Sequence, residues 1–130
     1  MKIYVDTNIY LDFLLERKNL EERDLSEYSY NVFERTISCE FTIVVSDKIL
    51  SELRKHLDPG KASALFKLIK GKIIKIIATD EDIEKAKNIN THFEDAIHVV
   101  LALKAEADLI VTRNKKDFKG LFKAKLPEEI

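Results

Sequence analysis

The sequence is poor in residues that interrupt or staple a chain. It holds three Gly and two Pro in 130 residues, so long flexible linkers are not expected. A single cysteine, Cys39, cannot close an internal disulfide. That fits a reducing cytoplasm, and Cys39 itself is expected to be a small buried hydrophobe. No apolar run approaches the roughly 20 residues that span a bilayer, so no membrane association is expected. The chain enters a strand-forming run at once, and no signal peptide is expected. Neither sign of charge dominates: the net charge of −1 gives no reason to expect nucleic-acid binding by bulk charge. Internal repeats and low-complexity segments are absent too.

What is present suits one core. Hydrophobic residues make up 45% of the chain, enough for a single domain spanning residues 1–130 but not for two. Charge is unevenly placed. Residues 1–60 carry 8 basic and 12 acidic side chains, and residues 61–130 carry 14 basic and 11 acidic. That imbalance suits an acidic site beside a basic surface, and equally suits ordinary solvated Lys and Glu.

The first dozen residues organise the rest. Ile3, Tyr4 and Val5 read as a short buried strand that runs into Asp6, and Thr7 and Asn8 then open a helix carrying Ile9, Leu11, Phe13, Leu14 and Leu15. Residues 16–25 are charged and read as a surface connection or helical arm. A helix from Ser26 is expected to bury Tyr30, Phe33 and Ile37. Residues 41–45 read as a second strand closed by Ser46-Asp47 as a helix cap. The next helix carries Ile49, Leu50, Leu53 and Leu57 on its apolar side and stops at the breaker Asp58-Pro59-Gly60. A further helix is expected from Ala62 to Lys70, ending at Gly71. A third strand follows at 73–77, and then a helix capped by Thr79. A nearly all-apolar helix spans Ala96 to Leu103, with Asp95 in its first turn. Leu109-Ile110-Val111-Thr112 is a fourth strand, 113–118 a polar turn, and 122–125 a last short strand. Strands alternating with helices, with near-continuous aliphatic runs, indicate an α/β fold with a parallel sheet and helices on both faces.

Several acids fall where such a fold does chemistry. Asp6 ends strand one, Asn114 and Asp117 follow strand four, Asp95 opens the buried helix, and Glu52 sits on the helix after strand two. If strands one and four are neighbours, the winding reverses between them, and the crevice there is the expected ligand site. Carboxylates gathered in one pocket repel one another and call for a counter-charge. A hard divalent cation with oxygen ligands answers that need and would serve phosphodiester cleavage. Each acid also has a plainer role. Asp6 could cap its helix, Glu52 could be solvated, Asp95 could serve the helix dipole, and Asp117 could be a turn residue. His92, Asp95 and His98 are spaced i, i+3, i+6 and lack the zinc-hydrolase spacing. His98 is therefore read as supporting structure, and His56 is given no catalytic part. Arg113, Lys115, Lys116, Lys119, Lys123 and Lys125 surround a single acid, Asp117, in residues 113–125. They suit phosphate contacts or an ordinary solvated loop.

Val5-Asp6-Thr7-Asn8, the run from Ser46 through Glu52-Leu53, Asp95-Ala96-Ile97-His98 and Thr112-Arg113-Asn114-Lys115-Lys116-Asp117-Phe118 occur in the order found in PIN-domain nucleases. The chain resembles that family over essentially its whole length, and within it the VapC-type toxins of prokaryotic toxin–antitoxin pairs. The resemblance implies a three-layer α/β/α fold with strand order 3-2-1-4-5, metal-dependent endoribonuclease activity with Mg²⁺ or Mn²⁺, a homodimer and a cognate antitoxin. Carried over by position, Asp6, Glu52 and Asp95 are the first three metal acids. The place after Thr112-Arg113 holds the amide Asn114, so Asp117 becomes the fourth acid and Asn114 an orienting group. Asn8 and Thr112 are similarly expected to hold acids in place, and Arg113, Lys115 and Lys116 to contact RNA. A PIN-like binding module without catalysis is the alternative. A phosphoreceiver domain would want an acid pair after strand one. A haloacid-dehalogenase-type phosphatase would want Asp-x-Asp where this chain has Asp6-Thr7-Asn8.

Overall fold

A computed structural model of the protein describes residues 1–15 and 25–130. Five strands, β1 (Lys2–Val5), β2 (Thr42–Ser46), β3 (Ile73–Ile76), β4 (Leu109–Val111) and β5 (Ala124–Lys125), form one sheet in the order β3-β2-β1-β4-β5. Every pairing is parallel. Ile3, Tyr4 and Val5 are all fully buried, as are Ile43, Val44, Ile110 and Val111. Successive strand residues point to opposite faces, so both faces of the central sheet are covered and the fold has three layers. The order matches the expectation and differs from the 2-1-3-4-5 winding of a phosphoreceiver domain.

The helices are α1 (Thr7–Leu14), α2 (Leu25–Ile37), α3 (Asp47–His56), α4 (Pro59–Leu68), α5 (Asp80–Lys87) and α6 (Phe93–Lys104). Their starts follow from local chemistry. Ser46 Oγ accepts from Ile49 N at 3.1 Å and caps α3. Thr79 and Asp82 close a reciprocal capping box on α5. Asp58-Pro59-Gly60 starts a helix as well as ending one. Asp58 caps α4, and Pro59 sits where its missing N–H costs nothing. Seven consecutive residues of α6, Ala96 to Ala102, are buried, as its all-apolar sequence requires. None of the described helices is long and apolar enough to cross a membrane.

Three expectations change. In α2 the buried stripe is Ser29, Val32, Phe33 and Thr36, while Tyr30 and Ile37 are 47% and 48% exposed. The apolar side is set by packing on α1, where Phe33 meets Tyr10 and Phe13 at ring separations of 5.3 and 5.5 Å. Tyr30 reaches Phe13 only from the rim. Cys39 is exposed instead of buried. It sits beyond the end of α2 with a positive φ of 69°, turned out toward Lys72 Nζ at 2.9 Å. Ile77 falls outside β3 and is exposed, because β3 is an edge strand with little to cover its end. The charged stretch expected at 16–25 lies, but for Leu25, outside the described residues.

The chain winds outward from β1 through β2 to β3, then returns to the other side of β1 with β4. The reversal lies between β1 and β4, whose carboxyl ends are level: Val5 pairs with Val111. Asp6 and Thr112 are therefore the first residues past the sheet, side by side.

Candidate active site

Asp6 leaves β1 in extended backbone, and its N–H donates to Val111 O at 2.9 Å, carrying the ladder one step beyond the sheet. Its carboxylate does two jobs. Oδ1 accepts from Thr7 N at 2.7 Å and caps α1. Oδ2 accepts from Thr112 Oγ1 at 2.8 Å and from Asn8 Nδ2 at 3.3 Å. The Thr112 hydroxyl is used completely, since it also accepts from Asn114 N at 3.1 Å and from Asn8 Nδ2 at 3.4 Å. Asn8 Oδ1 in turn accepts from Arg113 N at 3.2 Å. Asn8 and Thr112 thus brace Asp6 against the backbone of the loop after β4. Asn114 contributes to this bracing through its backbone N–H, and it is otherwise exposed.

Glu52 reaches the same place from α3, half-buried above Ile49 and Leu53, which face the core. Its Oε2 accepts from Thr7 Oγ1, and its Oε1 lies 3.1 Å from His98 Nε2. Burial raises its pKa, but the hydrogen bonds from His98 and Thr7 outweigh burial, and the net shift is downward. Glu52 is therefore an anion at neutral pH. His98 is buried, and its Nδ1 lies 2.7 Å from Tyr4 Oη. Burial opposes charging of the ring, yet the Glu52 hydrogen bond and the charges of Asp6, Glu52 and Asp95 leave its pKa raised.

One ligand atom from each of Asp6, Glu52 and His98 lies within 4.8 Å of the others. Both His98 nitrogens already have partners, so the groups able to take a hard cation are the carboxylates. Asp95, in the first turn of α6, belongs to the same field. Burial raises its pKa, and the negative charges of Asp117 and Asp6 raise it further, against smaller opposing effects of His98 and His92. Asp117 lies in the 3₁₀ turn Lys115–Phe118, which the buried Phe118 anchors. Two like charges pushing up a third is the signature of a pocket short of positive charge. A divalent cation with oxygen ligands fits that donor set.

The basic residues divide. The Arg113 guanidinium faces inward, with its side chain 16% exposed. Its Nε donates to Asp12 Oδ2 at 3.1 Å and its Nη1 to Glu128 Oε1 at 2.5 Å. The group also lies over the Tyr28 ring. Arg113 ties α1, α2 and the C-terminal segment together, and that inward pairing is at odds with the RNA contact expected of it. Lys115 Nζ pairs with Glu129 at 2.8 Å, whereas Lys116 and Lys119 are exposed. Sequence reasoning missed the parts played by Thr7 and Tyr4. The available signal was a Tyr inside a fully buried strand, since a buried phenol needs a hydrogen-bond partner.

A family model described as "PIN domain" matches residues 2–116. No curated protein matches the chain. Among solved structures, VapBC2 from Rickettsia felis, bound to a DNA fragment from its promoter, is similar with a TM-score of 0.64 at 18% identity, over 97% of this chain and 98% of that one. Mycobacterium tuberculosis VapC20, a sarcin–ricin loop cleaving toxin, has a TM-score of 0.60 at 14% identity, over 92% and 95%. FitAcB from Neisseria gonorrhoeae has a TM-score of 0.60 at 17% identity, over 98% and 99%. At these identities the likeness shows the fold.

Proposed function

This chain belongs to the PIN-domain family, and from that premise we propose that it is a metal-dependent endoribonuclease, the toxin of a toxin–antitoxin pair. One observation carries the reading: ligand atoms of Asp6 and Glu52, on separate elements, lie within 4.8 Å of each other at the reversal between β1 and β4, and burial together with the charges of Asp117 and Asp6 pushes the pKa of Asp95 up. Asp6 and Asp95 would hold a shared ion, with Glu52 and Asp117 holding it through water or holding a second one. Mg²⁺ or Mn²⁺, when bound, would polarise the phosphoryl oxygen and activate the attacking water.

The chain's own side chains do the rest. Thr112 and Asn8 fix the direction of Asp6, so little reorganisation is left for the reaction. Thr7 and His98 hold Glu52 as an anion facing Asp6. Lys116 and Lys119 lie one turn apart on the loop carrying Asp117 and would take RNA phosphates. Lys115 would join them by giving up Glu129, and Arg113 would keep that loop in place. A cytoplasmic homodimer silenced by a cognate antitoxin completes the reading. It is supported by the fold shared with VapBC2 and FitAcB.

The test is cleavage of a panel of structured RNAs by the purified chain with Mg²⁺ or Mn²⁺, beside Asp6→Asn and an EDTA control. Cleavage lost in both controls supports the assignment; cleavage by Asp6→Asn as by the wild type rejects it. A chain that binds RNA without cutting it would be a PIN-like binding module. Growth arrest on expression, relieved by the product of the neighbouring gene, tests the toxin role.

A further inference from the structure

Behind Glu52 runs a line of buried polar groups that the proposed reaction does not use directly. Ser46 Oγ lies 2.8 Å from Tyr4 Oη, Tyr4 Oη lies 2.7 Å from His98 Nδ1, and His98 Nε2 lies 3.1 Å from Glu52 Oε1. Tyr4 and Ser46 have no exposed surface, and His98 is 3% exposed. The members come from β1, the end of β2 and α6, and they meet Glu52 on α3.

A carboxylate only accepts, so the His98 Nε2 that faces Glu52 is a donor, and for a neutral ring proton counting then orders the rest of the line. Ser46 Oγ already accepts from Ile49 N, and its hydrogen remains for the Tyr4 oxygen. Tyr4 stays a phenol, because burial pushes its pKa far up, and its hydrogen goes to His98 Nδ1. Neutral His98 then carries its proton on Nε2 and donates it to Glu52. A ring held at both nitrogens cannot flip, and the Tyr4 and His98 rings lie against each other with centroids 5.5 Å apart. Thr7 holds the other Glu52 oxygen. Each carboxylate oxygen therefore has one bonded donor and a lone pair left over.

We infer that His98, seated by Tyr4 and Ser46, is a positioning residue that sets the Glu52 carboxylate in the orientation needed to take a divalent cation beside Asp6. The inference rests on the metal-dependent nuclease reading above. It adds that the fold aims Glu52 before any cation arrives, and that the aiming depends on a donor at the Nε2 position. Partners that orient a ligand commonly matter 10- to 100-fold, roughly, in metal affinity.

The experiment measures Mn²⁺ binding to the cation-stripped full chain by the electron paramagnetic resonance of free Mn²⁺, and RNA cleavage across a Mn²⁺ titration. The variants are His98→Leu, His98→Gln and Tyr4→Phe. His98→Leu is expected to weaken Mn²⁺ binding by about 10-fold or more and to move the half-activating Mn²⁺ concentration in parallel. His98→Gln, which keeps an N–H donor, is expected to recover most of that loss. Tyr4→Phe removes one oxygen and is expected to weaken binding several-fold; it carries the test if the Leu variant fails to fold. A purely structural role would lower the folded fraction at every Mn²⁺ concentration and leave Gln no better than Leu. That result, or wild-type affinity in both His98→Leu and Tyr4→Phe, overturns the inference. A wild type that binds Mn²⁺ but cuts no RNA removes the nuclease reading and leaves the binding arm to judge His98; a wild type that binds no Mn²⁺ removes both.

Discussion

Replacing Thr112 by Val changes one buried oxygen for one methyl and tests the brace on Asp6 directly. Thr112 has no exposed surface, and its hydroxyl gives its proton to Asp6 Oδ2 at 2.8 Å while accepting from Asn114 N at 3.1 Å. A hydrogen bond to a charged group contributes about 1.5–3 kcal/mol, and a buried donor left without a partner costs about 1–3 kcal/mol more. Asp6 and Asn114 N are half-exposed or near the surface, so water relieves part of that second cost. Burying the new methyl returns about 0.8 kcal/mol. The net loss is about 2 kcal/mol, which in a chain of this length lowers the unfolding midpoint by roughly 6–10 °C. The companion variant Thr112→Ser keeps the hydroxyl and loses only the methyl. Calorimetry and Mn²⁺ titration of the two variants should therefore diverge. Both lose stability, but only Val loses Mn²⁺ affinity, by about 10-fold or more. Equal Mn²⁺ affinity in Val and Ser would refute the idea that this hydroxyl aims the carboxylate.

Three further outcomes follow from the same geometry. Asp117→Asn removes one of the charges that raise the pKa of Asp95. It should raise the cation-free melting temperature by about 2–4 °C, on a relief of roughly 0.5–1 kcal/mol, while shrinking the stabilisation gained on adding Mn²⁺. Asp82 accepts from Lys104 Nζ at 2.7 Å and from Thr79, holding its pKa down at about 2. Its contribution is full above the ordinary value near 4 and disappears as pH falls toward 2. Because Lys104 is 38% exposed, screening leaves about 1 kcal/mol, so the gap in urea midpoint between wild type and Asp82→Asn should close from pH 5 to pH 2.5. Tyr10 Oη is buried without a hydrogen-bond partner among the described residues. Tyr10→Phe should raise stability by up to about 1 kcal/mol, and a clear loss in thermal unfolding would show that the hydroxyl is satisfied after all.

Much of this arrangement could be read from residue order because it depends on short-range rules. A strand ending in Asp6 and a helix opening at Thr7-Asn8 place an acid past the sheet, although the cap is Asp6 itself and not the two residues after it. Ile49 and Leu53 turn Glu52 toward the core, and the apolar run of α6 leaves Asp95 half-buried at its mouth. The strand order was not derivable from periodicity; it came with the family resemblance. What stayed hidden was set by tertiary packing. Nothing near Tyr30 or Ile37 says that α1 meets the neighbouring stripe of α2. Nothing near Arg113 says that Asp12, far back in α1, will draw its guanidinium inward. Tyr4, Ser46 and His98 lie in three separate stretches, and only the pairing of β1 with β2 and the docking of α6 put them in a row.

The way charge is spent argues for an external cation more strongly than any single distance. Among the described residues, the donors on the Asp6 and Glu52 carboxylates are Thr7, Asn8, His98 and Thr112. Arg113 is given to Asp12 and Glu128, Lys104 to Asp82, and Lys115 to Glu129. A protein selected only for stability would do better with a lysine or an amide in the pocket, since carboxylates crowded without a counter-ion oppose one another. Thr and Asn orient an oxygen without cancelling its charge, and among these donors His98 alone can carry a compensating proton, its pKa raised by the same acids. The pocket is therefore aimed but left electrically unfinished, and adding Mn²⁺ or Mg²⁺ should stabilise the wild type and leave Asp6→Asn almost unmoved. Equal stabilisation of both proteins would place the cation somewhere other than this crevice.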